Sequence, residues 1–477
     1  MFRIVSKKPS IIWATETEID DERLDSKFYD VQFIETQNKL LKSPLTKKKL
    51  GEIMKSMNSP IGWQGIPSSA YRRKGEGIPL LRVQNIQDNQ IDWDTIIDVD
   101  PEIYFSQPAI QSEAGDIIIT RVGTIGRFCK VPSNVPKIAM GQNLTRVSFD
   151  RQVVDADYIL AYMNTQYCIN QMYRLAYGGV QPSLTNKNIR DILLLIPSIK
   201  IQNYIGNKVR KAEELREESK RLKEEAESLL SLVLKLDEFK YEVTKSWVVN
   251  ADLLEPYLNV QFYNKEYLSF QEHLKTLGIP LLKMSQVLFK IIRNNSPDEN
   301  DRVEKGIPSL IVSDIDPYRI EIENAKIQVS QDYYKANEHQ AIRVDDVVYT
   351  TAGPPLGEAC LVVDEMLPLL SGAHVAVLRT NEKCKPGYLT CVLNSLVGSL
   401  EVQKHSYGIR QQYLFNEQLS NFVIPIIAQE IQDEIHEKIS KAIKFEIQSK
   451  KFISEAKQDV ENLIEGKFDE SKISEGA

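Results

Sequence analysis

Several things are scarce in this chain of 477 residues, and each scarcity removes a class of answer. Cysteine is one: Cys129, Cys168, Cys360, Cys384 and Cys391 are odd in number, and no two fall at CxxC spacing. That usage excludes a disulfide scaffold and a zinc ribbon, and it fits reduced thiols in the cytoplasm. Long hydrophobic runs are missing too. No stretch approaches the roughly 20 apolar residues needed to span a membrane, and the opening MFRIVSKKPSIIW has no apolar core of signal-peptide length. The expectation is a soluble cytoplasmic protein with no membrane partner. Catalytic signatures are equally thin: there is no GxxxxGKS or GxxxxGKT phosphate loop, no HExxH, no GxSxG elbow and no NPPY-like tetrapeptide. The five histidines (His273, His339, His374, His405, His436) are scattered, and none is read as a metal ligand. Pro297-Asp298 could open a nuclease metal site, in which carboxylates and a lysine clamp Mg²⁺. Its neighbours Glu299, Asp301 and Glu304 lie in a polar, Asn-rich stretch that reads as a solvated loop. No residue is assigned as catalytic or as a metal ligand.

What the chain does have is a long internal repeat. LDSKFYDVQF at Leu24 matches LLEPYLNVQF at Leu253, and GIPLLRVQNI at Gly77 matches GIPSLIVSDI at Gly306, both at an offset of 229 residues. GDIIITRVGTIGR at Gly115 is echoed by DDVVYTTAGPPLGE at Asp345. Tyr177-Gly178 is echoed by Tyr407-Gly408, and IQNYI at Ile201 by IQDEI at Ile431, at 230. A period this long means a duplicated domain plus a connector, not a solenoid. The repeated IPLLRVQNI, GDIIIT and LLLIP stretches and their partners IPSLIVSDI, DDVVYT and NFVIP are rich in β-branched residues and predict buried strands. Helices are predicted over Tyr158–Met172 and Tyr388–Glu401, so each half is mixed α and β.

Each half then runs into a long helix. From Ile201 to Phe239 there is no proline, and only Gly206 interrupts good helix formers. Ile205, Val209, Ala212, Leu215, Ser219, Leu222, Ala226, Leu229, Val233 and Leu236 recur at alternating threes and fours, the spacing of a coiled-coil seam. Ile435, Ile439, Ala442, Ile453, Ala456, Val460 and Leu463 repeat it, with polar breaks at Glu446 and Ser449. At about 1.5 Å per residue each helix would be a rod of about 45–50 Å. Two equal rods with matching seams can bury them by pairing antiparallel and holding the globular parts apart; packing each helix on its own domain is the plainer alternative.

Charge is segregated. The whole chain carries a net charge of -7, yet Thr120 to Lys211 holds thirteen basic residues against four acidic ones. Lys47-Lys48-Lys49 and Tyr71-Arg72-Arg73-Lys74 lie upstream. Clustered cations neutralise phosphates and release counterions. Among them stand amides able to read base edges: Gln84, Asn85, Gln87, Gln142, Asn143, Gln181 and Asn186. The candidate DNA-binding set in this half is Arg72, Arg73, Lys74, Arg82, Gln84, Asn85, Arg121, Arg127, Gln142, Asn143, Tyr177, Gln181, Asn186 and Lys187. In the second half it is Thr351, His374, Tyr407, Arg410, Gln411 and Gln412. That half is less basic: Thr350 to Lys441 holds seven basic residues against ten acidic ones. Arg121 and Arg127, replaced by Thr351 and Glu358, are the first places to seek a difference in what the halves recognise.

These residues resemble the DNA-sequence specificity subunit of type I restriction-modification systems. The marks are GIPLLRVQNI, GDIIITRVGTIGR, GQNLTRV at Gly141, YGGVQPSLTNKNIRDILLLIP at Tyr177 and the IQNYI helix start, with their second-half partners down to SYGIRQQYLFNEQLSNFVIP at Ser406. The Pro-Pro-Leu-x-Glu-Gln phrase common in the family before the helix is absent: Pro197 is followed by SIKIQ and Pro425 by IIAQEIQ. The resemblance implies an α+β fold of two pseudo-repeated target recognition domains, at 1–200 and 241–428. Two long antiparallel coiled-coil helices at 201–240 and 429–466 would separate them, and a flexible tail would occupy 467–477. It implies a noncatalytic subunit for phage defence that reads a bipartite site on double-stranded DNA. Its helices would dock two adenine methyltransferase (M) subunits and, where present, restriction (R) subunits. Cofactors would be none in this chain, with S-adenosylmethionine, Mg and ATP confined to the partners. The alternative is a coiled-coil scaffold joining protein partners without sequence-specific DNA binding; a fused nuclease or methyltransferase comes third.

Overall fold

The computed structural model describes residues 23–475 except 24, 61–65, 88–89, 136, 151, 180, 242, 245, 251–253, 255–259 and 409–411. It divides into two compact units, one of residues 1–213 with 450–477 and one of residues 214–449.

In the first unit the motif at Gly115 supplies a central strand. Ile117–Thr120 is buried at all four positions, as a run of isoleucines requires when both faces need apolar neighbours. It lies between Phe128–Lys130 and Leu144–Phe149, with Met54–Asn58 beyond the latter, in an antiparallel four-stranded sheet. Asp116 of the motif caps the turn before the strand. Its carboxylate accepts from the Ser112 hydroxyl at 3.0 Å and the Glu113 N–H at 2.8 Å, and pairs with Arg146 at 3.2 Å. A second sheet of five short strands includes one parallel pair, Ile78–Leu81 beside Ile138–Met140.

The second unit repeats this frame. Val347–Thr350, buried throughout, lies between Ala359–Leu361 and Val375–Thr380, with Leu288–Arg293 at the far edge. Asp346 again accepts from a backbone N–H, that of Arg343 at 2.8 Å, and Arg379 grips it through two bonds of 2.7 and 2.8 Å. Two equivalent tyrosines tie a helix to the strand that leads into each long helix. Tyr158 donates to the Leu195 carbonyl at 2.6 Å and Tyr388 to the Pro425 carbonyl at 2.5 Å, and burial raises both phenols above their ordinary pKa.

Two expectations need correcting. The helices predicted as single, over Tyr158–Met172 and Tyr388–Glu401, are each two: Ala156–Met163 and Gln166–Leu175, then Pro386–Leu393 and Leu396–His405. Thr165 and Ser395 cause the breaks, because each side chain accepts a backbone N–H of the following helix as its N-cap. The segment expected as a flexible tail carries a short helix, Lys472–Glu475. Its two large apolar side chains are packed, Phe468 with its ring 6.2 Å from that of Tyr204 and Ile473 against the core of the first unit.

The long helices run over Ile199–Leu234 and Gln429–Ile464. The first stops short of 240 because Lys235 adopts a φ of 47°, so Leu236 falls outside it. Its last turns fully bury Leu230 and Leu234, and the expected Leu229 and Val233 lie half-buried against the same core. The second ends at Gly466, whose φ of 69° suits a glycine helix stop, with the Lys467 N–H on the Asn462 carbonyl at 2.7 Å. Within each unit the two helices pair antiparallel. In the first, Lys208 meets Asp459 at 2.7 Å while Tyr204 meets Phe468. In the second, the Ser219 hydroxyl donates to the Ala442 carbonyl at 2.7 Å and Lys438 reaches Glu225 at 2.8 Å. Among the described residues, no helix is long and apolar enough to cross a membrane.

Candidate nucleic-acid interface

The loops at one end of the first unit's main sheet are stitched together by backbone bonds. After Ile117–Thr120, the Arg121 N–H donates to the Asn143 carbonyl at 2.9 Å, and the Leu184 N–H donates back to the Arg121 carbonyl at 2.8 Å. The Gly123 N–H reaches the Pro182 carbonyl at 3.0 Å, and Tyr177 and Ser183 exchange bonds of 2.9 and 2.8 Å. Gly123 and Gly126 have φ of 81° and 82°, which explains why glycine recurs in this loop. The glycines serve a turn; no helix follows them to bind phosphate. Side chains from the same loops point outward: Tyr177, Gln181, Asn186 and Lys187 are exposed. Asn143, at φ 65°, also borders a cavity of about 320 Å³ lined by Tyr71, Arg82, Gln84, Gly141 and Gln142 among others. Most of the amide candidates therefore gather in one region.

Others do not join it. Asn85 is completely buried: its carbonyl oxygen accepts from the Arg82 N–H at 2.9 Å and its amide donates to Thr95 at 2.9 Å. It caps the turn. Arg127 is turned inward to the Ile86 carbonyl at 3.2 Å, and Arg72 is paired with Asp100 at 2.6 Å. Arg82 donates to the Thr95 carbonyl at 3.0 Å and Lys74 to that of Trp93 at 2.7 Å, while Arg73 lies exposed beside them.

The basic excess is also smaller than the count suggests. Lys130 pairs with Asp157 and Glu213, Arg146 with Asp116, Lys208 with Asp459 and Glu455, and Arg210 with Asp155 and Asp157. Glu213, Asp116, Asp459 and Glu455 lie outside the counted segment, so its charge is partly neutralised from elsewhere in the unit. Lys49 of the upstream cluster is likewise paired with Asp191 at 2.8 Å.

The second unit builds the same stitching from different side chains. The Thr351 N–H donates to the His374 carbonyl at 2.9 Å, the Leu414 N–H to the Thr351 carbonyl at 2.9 Å, and Tyr407 and Tyr413 exchange bonds. His374, like Asn143, has a positive φ, here 68°. His374, Tyr407 and Gln412 are exposed, whereas Arg410 and Gln411 lie outside the described residues. Thr351 is buried, and its hydroxyl accepts from Arg293 at 2.7 Å and donates to the His374 carbonyl at 2.9 Å. Its side chain, assigned to DNA from sequence, is thus engaged in supporting the loop.

Arg293 is the residue that sequence reasoning missed. Its guanidinium also donates to Asn416 at 2.9 Å and to the Leu414 carbonyl at 2.5 Å. In the first unit the corresponding strand end holds Ser59, which bonds Asn186, the counterpart of Asn416, at 3.0 Å. There the guanidinium comes from the opposite loop, where Arg121 donates to the Pro60 carbonyl at 3.2 Å. Each unit thus places one half-buried arginine between the same two chain segments, donated from opposite sides. Burial holds both below the ordinary arginine pKa. Arg23 was missed as well: it lies 4.4 Å from the centre of the Tyr177 ring and donates to the Leu175, Arg174 and Ala176 carbonyls at the end of a helix.

The two units share a sheet whose loops keep their backbone bonds and vary their side chains. Residues 42–228 match the family model of the type I restriction modification DNA specificity domain. The chain is similar to a protein of Methanocaldococcus jannaschii carrying the name type I restriction enzyme MjaX specificity subunit, at 24% identity over 36% of this chain and 38% of that protein. It is similar to the type I restriction enzyme EcoBI specificity subunit of Escherichia coli at 23% identity over 38% of each. The matched stretches thus span less than two thirds of these relatives. The crystal structure of the type I restriction-modification system S subunit from M. genitalium aligns over 90% of this chain and 97% of its own, with a TM-score of 0.48 and 12% identity.

Proposed function

We propose that this chain is the noncatalytic DNA-reading subunit of a type I restriction-modification complex, in which each unit contacts one half of a bipartite site on double-stranded DNA. The observation that carries this reading is the frame shared by the two units, with Arg121, Asn143 and Ser183 in one and Thr351, His374 and Tyr413 in the other on equivalent backbone. A fixed frame with variable outward residues suits recognition of two different short sequences. On this reading the contacting residues are Arg73, Lys74, Arg82, Gln84, Gln142, Asn143, Tyr177, Gln181, Asn186, Lys187, His374, Tyr407 and Gln412, with Arg410 and Gln411 beside them in sequence. The long helices set the gap between half-sites and dock two adenine methyltransferase subunits, and restriction subunits join that assembly. S-adenosylmethionine, Mg²⁺ and ATP belong to those partners, and the complex works in the cytoplasm. Protection mapping on DNA with the methyltransferase bound should show two short half-sites at a fixed separation. One continuous protected site would overturn the reading, and a failure of random-sequence selection to enrich any motif would favour the scaffold instead.

A further inference from the structure

The second unit's segment Thr350 to Lys441 holds fewer basic residues than its counterpart in the first, so a contact that needs no cation would add to its affinity. On the shared frame, three positions differ from the first unit in one direction. Asn143 is replaced by His374, Ser183 by Tyr413 and Thr185 by Phe415, each a small polar side chain exchanged for a ring. The rings form a row: His374 and Tyr413 have centroids 5.8 Å apart, and Tyr413 and Phe415 are stacked at 6.4 Å with planes 19° apart. Phe415 is 56% exposed, and Tyr407, bridged to Tyr413, is 71% exposed. Rings left in water at a loop cluster are characteristic of a surface that binds something.

Arg293 fixes this row from the protein side. It bonds the carbonyl of Leu414, between Tyr413 and Phe415, and the side chain of Asn416, next to Phe415. Through the Thr351 hydroxyl it also braces the His374 carbonyl. The backbone bearing all three rings is therefore held before a ligand arrives, which lowers the entropy lost on binding.

We propose that this aromatic shelf reads thymine 5-methyl groups in the major groove of the half-site bound by the second unit. The methyl is the apolar mark that the major groove presents, and apolar side chains recognise it without a cation. That chemistry suits a segment with fewer basic residues than its counterpart. The proposal rests on the DNA-reading function above and goes beyond it in assigning the chemistry of one half-site.

The test uses the full chain with its methyltransferase bound. Once selection has given the bound sequence, each thymine is replaced in turn by deoxyuridine, which lacks only the methyl. Binding should weaken about fourfold for each contacted methyl, the loss expected when one methyl-sized group is no longer buried, and these positions should fall in one half-site. The same series with Phe415→Ala, or with Tyr407→Ala as a second exposed variant, should become flat in that half-site while protection of the other half-site is retained. Sequence-specific binding with no effect of deoxyuridine in either half-site overturns the shelf and leaves the DNA-reading function standing. Absence of any enriched sequence overturns both.

Discussion

At the scale of single residues, the two units diverge most where a charge is exchanged at a fixed place. Arg127 of the first unit has Glu358 as its counterpart in the second, and the surroundings treat the carboxylate poorly. One Glu358 oxygen is enclosed with no hydrogen-bond partner among the described residues. Burial, with Asp316 adding to it, pushes the Glu358 pKa up to about 7. Its ordinary value is 4.5, so the folded state holds this proton more tightly than the unfolded one does. Stability is therefore full below about pH 4.5 and falls as the pH rises towards 7, where the folded protein must ionise the group. Glu358→Gln should raise Tm at pH 8 and leave it unchanged at pH 4, as followed by thermal unfolding. Equal effects at both pH values would show that the carboxylate is not ionised against its surroundings. The neighbouring exchange is gentler: Arg121 and Arg293 supply the same guanidinium from opposite sides, so the frame survives the replacement of Arg121 by Thr351.

At the scale of elements, a helix can contain a residue that its own propensity disfavours because a neighbour needs the space. Gly206 lies inside Ile199–Leu234, where alanine would be favoured by about 1 kcal/mol on propensity alone. A Cβ there would come within 2.7 Å of both oxygens of Asp155. That carboxylate cannot move aside, since it caps the helix Ala156–Met163 through the Asp157 and Tyr158 N–H groups and receives Arg210. Gly206→Ala should thus destabilise the first unit by about 1–3 kcal/mol, the usual cost of overpacking, measured by chemical denaturation; a gain in stability would mean that the close approach is not maintained. In the second unit the counterpart is reversed, with His436 on the helix and Gly387 on its neighbour, the Gly387 N–H donating to the His436 ring at 3.1 Å. From sequence Gly206 reads only as an interruption of the helix, because its reason lies 51 residues away in Asp155. The buried strands were legible, since β-branched runs repeated at one offset carry their own signal. The helix breaks at Thr165 and Ser395 were not, because the apolar periodicity continues across them and only the capping hydroxyls mark the stop.

At the scale of the whole molecule, duplication is what made the frame readable, and it is also why Arg293 was overlooked. The repeat aligns Asn186 with Asn416 at 230 residues, but Ser59 and Arg293 are 234 apart, so the strand end that carries the second guanidinium drops out of the alignment. Charge counting failed for a related reason: the carboxylates that neutralise Lys130, Arg146 and Lys208 are distant in the chain and near in space. The helices escape both problems, because their seams are local patterns. Each seam is in register with the other through pairs on both sides of the unit boundary, Lys208 with Asp459 in the first unit and Lys223 with Glu446 in the second. Seven residues deleted from one helix alone would throw these pairs out of register, whereas seven deleted from each, between the two sets of pairs, would keep both seams matched. On the proposed function that matched deletion shortens the spacer by about 10 Å, from a rise of about 1.5 Å per residue. At about 3.4 Å per base pair the gap in the recognised sequence should contract by about three base pairs with both half-sites unchanged. Sequencing the sites methylated by the complex carrying the shortened chain reads this directly. A gap that stays at its original length would show that something other than the paired helices sets it.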